Sequence, residues 1–215
     1  MEQRLDIQIQ SVNDEVAFNN RRYFDEIGLL VINMISSPGS GKTSILEVMA
    51  QSLGKKLHVI TGDVQTNLDA ERLEKAGAKA YQIQTGGSCH LTASMVQKAL
   101  TVFDIEPNSL LVIENIGNLV CPSTYNLGEH IKVAVVSTAE GDEKPIKYPA
   151  LFTRAQAVIV NKMDLLPYVS FDIERLASDC YKLNNQVRIF TTSCVTKEGF
   201  PAWMDFLYQV KKSLH

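Results

Sequence analysis

Short apolar runs rich in Val and Ile recur along the chain, at 29–35, 57–61, 110–114, 131–137, 156–161 and 187–192. Each is too short for a typical helix and too continuously apolar for a strand with one face in water, so each reads as a strand buried on both faces. Helical patterns lie between several of them, at 44–54, 67–76, 91–103 and 146–154. A further helix is expected at 171–183, an amphipathic closing helix at 200–213, and a leading helix at 14–27. Strands alternating with helices predict an α/β fold, a mainly parallel sheet with helices on both faces. Ligands of such open sheets sit outside the carboxyl ends of the strands. The 215 residues suit one compact domain, with 1–27 as a leading helical extension.

The first apolar run leads straight into Ser36-Ser37-Pro38-Gly39-Ser40-Gly41-Lys42-Thr43, and a helical stretch follows from Ser44. A strand, a glycine-containing loop and a helix in this order make a phosphate-binding loop. Backbone N–H groups from Gly39 to Ser44 would face phosphate oxygens, Lys42 adds a full charge, and the Thr43 hydroxyl suits Mg²⁺. Ser36 stands where such loops usually carry their first glycine. The motif predicts a nucleoside triphosphate site, and hence a P-loop NTPase.

Asn161-Lys162-Met163-Asp164 follows the buried run that ends at Val160. The Asp164 carboxylate can accept from the N1–H and exocyclic amine of guanine, a donor pair that adenine lacks. Asn161 would tie the base loop together, and the Lys162 stem would lie over the base. Ser193 and Cys194, after the last strand, are placed to offer backbone contacts to it. The expected nucleotide is therefore GTP or GDP.

Acidic residues end two other strands. Asp63 follows Gly62, with Asp69 six residues further on, and Glu114 precedes Gly117 by three. A carboxylate near the γ-phosphate holds Mg²⁺ directly or through water, and a glycine N–H senses that phosphate. Asp63 and Glu114 are expected at Mg²⁺ together with Thr43. Asp69 either joins them or positions the attacking water, so Lys42, Asp63 and Asp69 form the expected catalytic set. No arginine finger is identifiable, which predicts slow hydrolysis in isolation.

Cys89 and His90 sit in a loop before the 91–103 helix, and Cys121 lies four residues after Gly117. Two thiolates and an imidazole are a soft donor set, suited to Zn²⁺ or Ni²⁺. Taken alone, the spacing also fits a buried thiol and a capping histidine. Adjacent Cys89 and His90 converge only in an irregular loop, because on a strand they would face opposite ways. If they do converge, movement of the phosphate-sensing segment displaces a metal ligand, and three ligands leave room for water, a second protomer or a partner. Cys180 and Cys194 read as structural, and His58, His130 and His215 carry no metal role.

A net charge of -3 with no basic block gives no nucleic-acid footprint. No apolar run is long enough to cross a bilayer, and Glu2, Arg4 and Asp6 are unlike a secretory signal. Four cysteines fit reduced thiols in the cytoplasm better than a disulfide framework.

Taken in order, the blocks 36–43, 62–72, 85–91, 114–123, 140–149 and 161–166 resemble the HypB family of hydrogenase nickel-incorporation GTPases. The resemblance covers roughly residues 14 to 213, and Glu-Asn-Ile-Gly-Asn-Leu-Val-Cys-Pro at 114–122 is its most specific part. It implies a dimerising, metal-handling P-loop GTPase that carries its nucleotide-responsive metal site on Cys89, His90 and Cys121 at the dimer interface. It also implies a homodimer through the switch and metal face, with nickel accessory proteins and a hydrogenase large-subunit precursor as partners. Lys147 would help dimerisation, and Leu165 and Val169 would add an apolar patch.

Two departures stand out. Residues 1–57 contain no Cys or His, so the nickel-storing N-terminal motifs of some members are not expected within this sequence. Thr92 stands where an acidic residue is frequent. A urease-type nickel GTPase is the nearest rival, but that family carries Cys-Pro-His where this chain has Cys121-Pro122-Ser123. A nucleotide-bound metal scaffold without catalysis is the rival of a different class.

Overall fold

The computed structural model describes residues 2–63 and 68–214, with residues 2–9 and 63 described for their backbone only. Among the described residues, seven strands form a single parallel sheet. In chain order they are β1 Leu30–Ser36, β2 Leu57–Asp63, β3 Lys79–Gln84, β4 Leu110–Glu114, β5 Ile131–Ser137, β6 Ala157–Asn161 and β7 Arg188–Thr191. Their order across the sheet is β3-β2-β4-β1-β5-β6-β7. Every residue of β1, β4, β5 and β6 is buried, as the continuous apolar runs predict.

The helices are α1 Glu2–Glu26, α2 Lys42–Leu53, α3 Leu68–Lys75, α4 Ala93–Leu100, α5 Cys121–Thr124, α6 Lys144–Lys147, α7 Pro149–Arg154, α8 Ile173–Leu183 and α9 Phe200–Ser213. Alternate strand residues feed opposite faces. Leu30, Ile32 and Met34 pack with Ile45, Leu46 and Met49 of α2 and with Trp203 of α9. Val31 packs with Phe24 of α1 and Val96 of α4, while Ile35 meets Leu151 and Phe152 of α7 and Leu176 of α8. Each buried Leu, Ile or Phe contributes about 1.5–3 kcal/mol of transfer free energy.

Four expectations need correction. The pattern of continuous apolar runs missed β3, whose Lys79-Ala80-Tyr81-Gln82-Ile83-Gln84 is an edge strand, mostly half-buried. The leading helix spans Glu2–Glu26, not 14–27. There Leu5, Ile7 and Ile9 alternate with polar residues at a period of two, which conceals a helix. The helix expected at 146–154 is two short ones, because Pro149 has no N–H to donate and turns Tyr148 out of helical geometry, at φ -129 and ψ 53. The 91–103 pattern is trimmed to α4, where Thr92 is the N-cap and its side chain accepts from Met95 N. Among the described residues, no helix is long and apolar enough to cross a membrane.

Candidate functional site

The central strand β1 lies between β4 and β5 and ends at Ser36, and the phosphate loop follows it at the carboxyl end of the sheet. Gly41 turns the loop into α2 at φ +97, a left-handed conformation that only glycine holds without strain. A Cβ there would also stand 2.5 Å from Asn161 Nδ2. The Lys42 ammonium is buried and donates to Ser36 Oγ at 2.8 Å. Ser36 in turn donates to the Ser37 carbonyl at 2.6 Å. The unusual Ser36 therefore serves as the hydroxyl partner of the phosphate-loop lysine.

Thr43 Oγ1 donates to Glu114 Oε1 at 2.9 Å, joining the start of α2 to the end of β4. Burial pushes the Glu114 carboxyl up to about 7, against the pull of Lys42 and Thr43. Burial likewise holds the Lys42 ammonium below its ordinary range, opposed by Glu114, Asp69 and Glu140. The second Glu114 oxygen is buried without a hydrogen-bond partner among the described residues. An unpaired buried carboxylate oxygen beside a threonine hydroxyl fits a hard divalent cation such as Mg²⁺. Asp69 borders the same cavity of about 660 Å³, as do Gly62, Gly117 and Lys162. The Asp63 side chain, the other expected Mg²⁺ ligand, lies outside the described residues.

Arg72, to which the motifs assign no role, also borders this cavity. It is clamped by Glu47 through two bonds of 3.0 and 2.7 Å and faces Asp69 at 3.3 Å. Glu140 is a second residue to which the motifs assign no role. It accepts from Ser40 Oγ at 2.8 Å and from Ser137 N at 2.9 Å, which ties the loop to the end of β5. Lys144 donates to Ser37 Oγ at 2.9 Å. A larger hollow of about 800 Å³ lies against β3, α3 and α4, but its lining includes none of the phosphate-loop, base-loop or soft-metal residues.

Side-chain bonds hold the 161–164 turn to the phosphate loop and to the segment after β7. Asn161 Nδ2 donates to the Ser40 carbonyl at 3.0 Å, while its oxygen accepts from Thr192 Oγ1 at 3.2 Å and faces Cys194 Sγ at 3.5 Å. One side chain thus joins the phosphate loop to the strand end that follows β7. Lys162 adopts φ +61 and its ammonium reaches the Gly39 carbonyl at 2.7 Å. Ser193 Oγ donates to Asp164 Oδ1 at 2.5 Å and accepts from the N–H groups of Val195 and Thr196. That bond orients the carboxylate that would read guanine. Cys180 is fully buried in α8.

The ligand atoms of Cys89, His90 and Cys121 all lie within 4.8 Å of one another. Cys89 Sγ and His90 Nδ1 are 3.5 Å apart. Tetrahedral bonds of the usual Zn–S and Zn–N lengths would set such atoms roughly 3.5 Å apart, so the donor set fits a soft metal ion. The preceding Gly86 and Gly87, at φ +60 and +93, make the irregular loop on which the adjacent pair converges. The His90 ring lies against Tyr125 with centroids 3.9 Å apart and planes tilted by 34°, and burial lowers its pKa. A hydrogen bond with Cys121, followed by burial, raises that of the Cys89 thiol. The other described histidines are committed elsewhere. His58 Nε2 accepts from Glu106 N, and His130 Nδ1 accepts from Val31 N while its other ring nitrogen meets Asp25. His215 lies outside the described residues.

Comparison with known proteins places this geometry among relatives. Residues 30–191 match the family model described as CobW/HypB/UreG, nucleotide-binding domain. The chain is 43% identical over 206 residues to the hydrogenase maturation factor HypB of Azotobacter vinelandii, covering 95% of this chain and 68% of that protein. It is 43% identical to the hydrogenase/urease maturation factor HypB of Helicobacter hepaticus, covering 94% of this chain and 85% of that one. Its fold superposes on the crystal structure of Helicobacter pylori HypB in complex with nickel with a TM-score of 0.89, at 41% identity, covering 94% of this chain and 95% of that one.

Proposed function

The chain belongs to the HypB family of hydrogenase maturation factors, within the CobW/HypB/UreG nucleotide-binding group, and from that premise we propose that it is a GTP-hydrolysing metallochaperone that binds nickel or zinc and assists nickel insertion into a [NiFe]-hydrogenase precursor. One observation carries this reading. The segment that begins at Glu114, bonded to the phosphate-loop Thr43, ends at Cys121, grouped with Cys89 and His90. A phosphate sensor and a metal ligand therefore share one short stretch of backbone.

In hydrolysis a water attacks the γ-phosphorus, the bond to the β–γ bridging oxygen breaks, and GDP and phosphate leave. Lys42 offsets charge on the phosphates, and backbone N–H groups of Gly39, Ser40, Gly41, Thr43 and Ser44 cradle them. Thr43, Glu114 and Asp63 would hold Mg²⁺, which when bound neutralises the phosphate oxygens. Asp69 either completes that shell or orients the water. The Gly117 N–H answers to the γ-phosphate, and Asp164, Asn161, Lys162, Ser193 and Cys194 recognise guanine. Arg72, engaged by Glu47 and Asp69, leaves hydrolysis slow in isolation.

Nickel is the cargo of the Cys89, His90 and Cys121 site. A second copy, docking through the switch and metal face, supplies the remaining coordination. Exposed Lys147, paired with Glu143 at 2.6 Å, exposed Leu165 and partly exposed Val169 support a contact beside the nucleotide. Nickel accessory proteins and the hydrogenase large-subunit precursor are the partners, in the cytoplasm. Service to a urease is the second reading, favoured by the Helicobacter hepaticus relative, a hydrogenase/urease maturation factor.

Two measurements test this. Single-turnover GTP hydrolysis with Mg²⁺ should exceed the spontaneous rate and vanish in Lys42→Ala; no difference between the two leaves a non-catalytic scaffold. Ni²⁺ titrated into GDP and GTP-analogue forms, with mass measured alongside, should give unequal affinities and a nucleotide-dependent dimer. Equal affinities would remove the switch.

A further inference from the structure

Leu91, the residue after His90, is a meeting point of three segments. Its N–H donates to Asn115 Oδ1 at 3.2 Å. Its fully buried side chain stands 2.9 Å from where a Cβ on Gly62 would lie, against the end of β2. The same Asn115 oxygen also accepts from Ile116 N at 3.0 Å, one residue before Gly117. Two backbone donors converging on one side-chain atom require that atom to be oxygen, so the amide orientation follows from its partners. Asn115 Nδ2 then donates to Asn33 Oδ1 at 3.1 Å, and Asn33 Nδ2 to Glu129 Oε1 at 3.2 Å. Asn33 and Asn115 are buried, so they hold each other without help from bulk solvent.

A second tie lies nearer the surface. Asn118 Nδ2 donates to the Cys89 carbonyl at 3.3 Å, while its oxygen accepts from Val120 N, next to Cys121, at 2.9 Å. The metal loop is thus attached to the 114–121 segment by two side chains from that segment, through the Leu91 N–H and the Cys89 carbonyl on either side of His90. Resting on the reading of this chain as a metal-transfer switch, we propose that Asn115 is the positioning residue that couples the phosphate-sensing segment 114–117 to the Cys89-His90 metal loop. When Ile116 and Gly117 shift, the shared oxygen moves with them. Leu91 then either follows or leaves a buried N–H unpaired. Following moves His90.

The test is Ni²⁺ affinity in the GDP form and in the form bound to a non-hydrolysable GTP analogue, for the full chain and for Asn115→Ala. The unaltered chain should show affinities differing by about 5- to 150-fold, the usual span of coupling between sites. Asn115→Ala should bind each ligand singly, with that ratio reduced to within about twofold of unity. A variant that keeps the original ratio overturns the proposal and leaves the switch intact. A ratio of one in the unaltered chain removes the switch reading itself, so the two failures are distinct. Should Asn115→Ala not fold, amide exchange in the unaltered GDP form carries the test. Adding Ni²⁺ should change the protection of Leu91 and Ile116 together, and a change at one without the other overturns the coupling.

Discussion

The Thr43 hydroxyl donates to Glu114 Oε1 at 2.9 Å, and the other oxygen of that carboxylate is buried with no hydrogen-bond partner among the described residues. A helix start and a strand end, 71 residues apart in the chain, thereby meet around one charge that burial pushes up to about 7. A group in this condition is poised to lose its proton when a cation arrives.

The consequence for stability has a definite sign. A carboxyl whose folded pKa is raised holds its proton longer in the folded state, so stability falls as pH rises from the ordinary value near 4.5 to about 7. The penalty is absent at lower pH and complete at higher pH. Glu114→Gln should remove it, making the nucleotide-free, metal-free protein more stable than the parent above pH 7, by about 3 kcal/mol on an order-of-magnitude basis. Urea unfolding of both proteins across that range checks this, and parallel profiles would contradict it.

Guanine recognition should depend on Asp164, oriented by Ser193. Asp164→Ala should weaken GDP binding by about 100-fold or more, since two charge-assisted hydrogen bonds are lost. Binding of a fluorescent GDP analogue measures it. ADP affinity should stay low in both proteins.

Asn161 holds two loops with one amide, through Ser40 on one side and Thr192 on the other. Asn161→Ala leaves buried partners unpaired and should cost about 1–3 kcal/mol. Calorimetry should show this as a Tm lower by a few degrees, and GDP should restore less of the loss than it does in the parent.

Thiol chemistry should sort the cysteines by environment. Cys89 is exposed, whereas Cys180 is fully buried and its thiol pushed up to about 12. Iodoacetamide should modify Cys89 in the folded protein and leave Cys180 untouched until unfolding. Ni²⁺ or Zn²⁺ should protect Cys89 and Cys121 together. Peptide mass mapping reads this out, and labelling of Cys89 unaffected by either metal would count against the shared site.

Much of the fold was legible because the inner strands are buried on both faces and so read as unbroken apolar runs. The edge strand β3 was not, since a half-exposed strand carries Lys79, Gln82 and Gln84 and loses that signature. The phosphate loop was legible because its chemistry is local, with a backbone turn and its side chains lying within a few residues. The roles of Ser36, Arg72, Glu140 and Asn115 were not, because each depends on a partner from a distant segment, or on a side-chain direction that spacing does not reveal.

Thus the sequence by itself determined a parallel α/β sheet, a phosphate loop and an Asn-Lys-x-Asp turn after a strand, since period, glycine placement and residue type act over short range. It also named Cys89, His90 and Cys121 as a soft donor set. Only the tertiary structure decided that these three converge within 4.8 Å, that Thr43 meets Glu114, and that the Asn115 oxygen joins Leu91 to Ile116. Those contacts join residues brought together by the strand order β2-β4-β1-β5, and that order is a property of the packed sheet rather than of any stretch of chain.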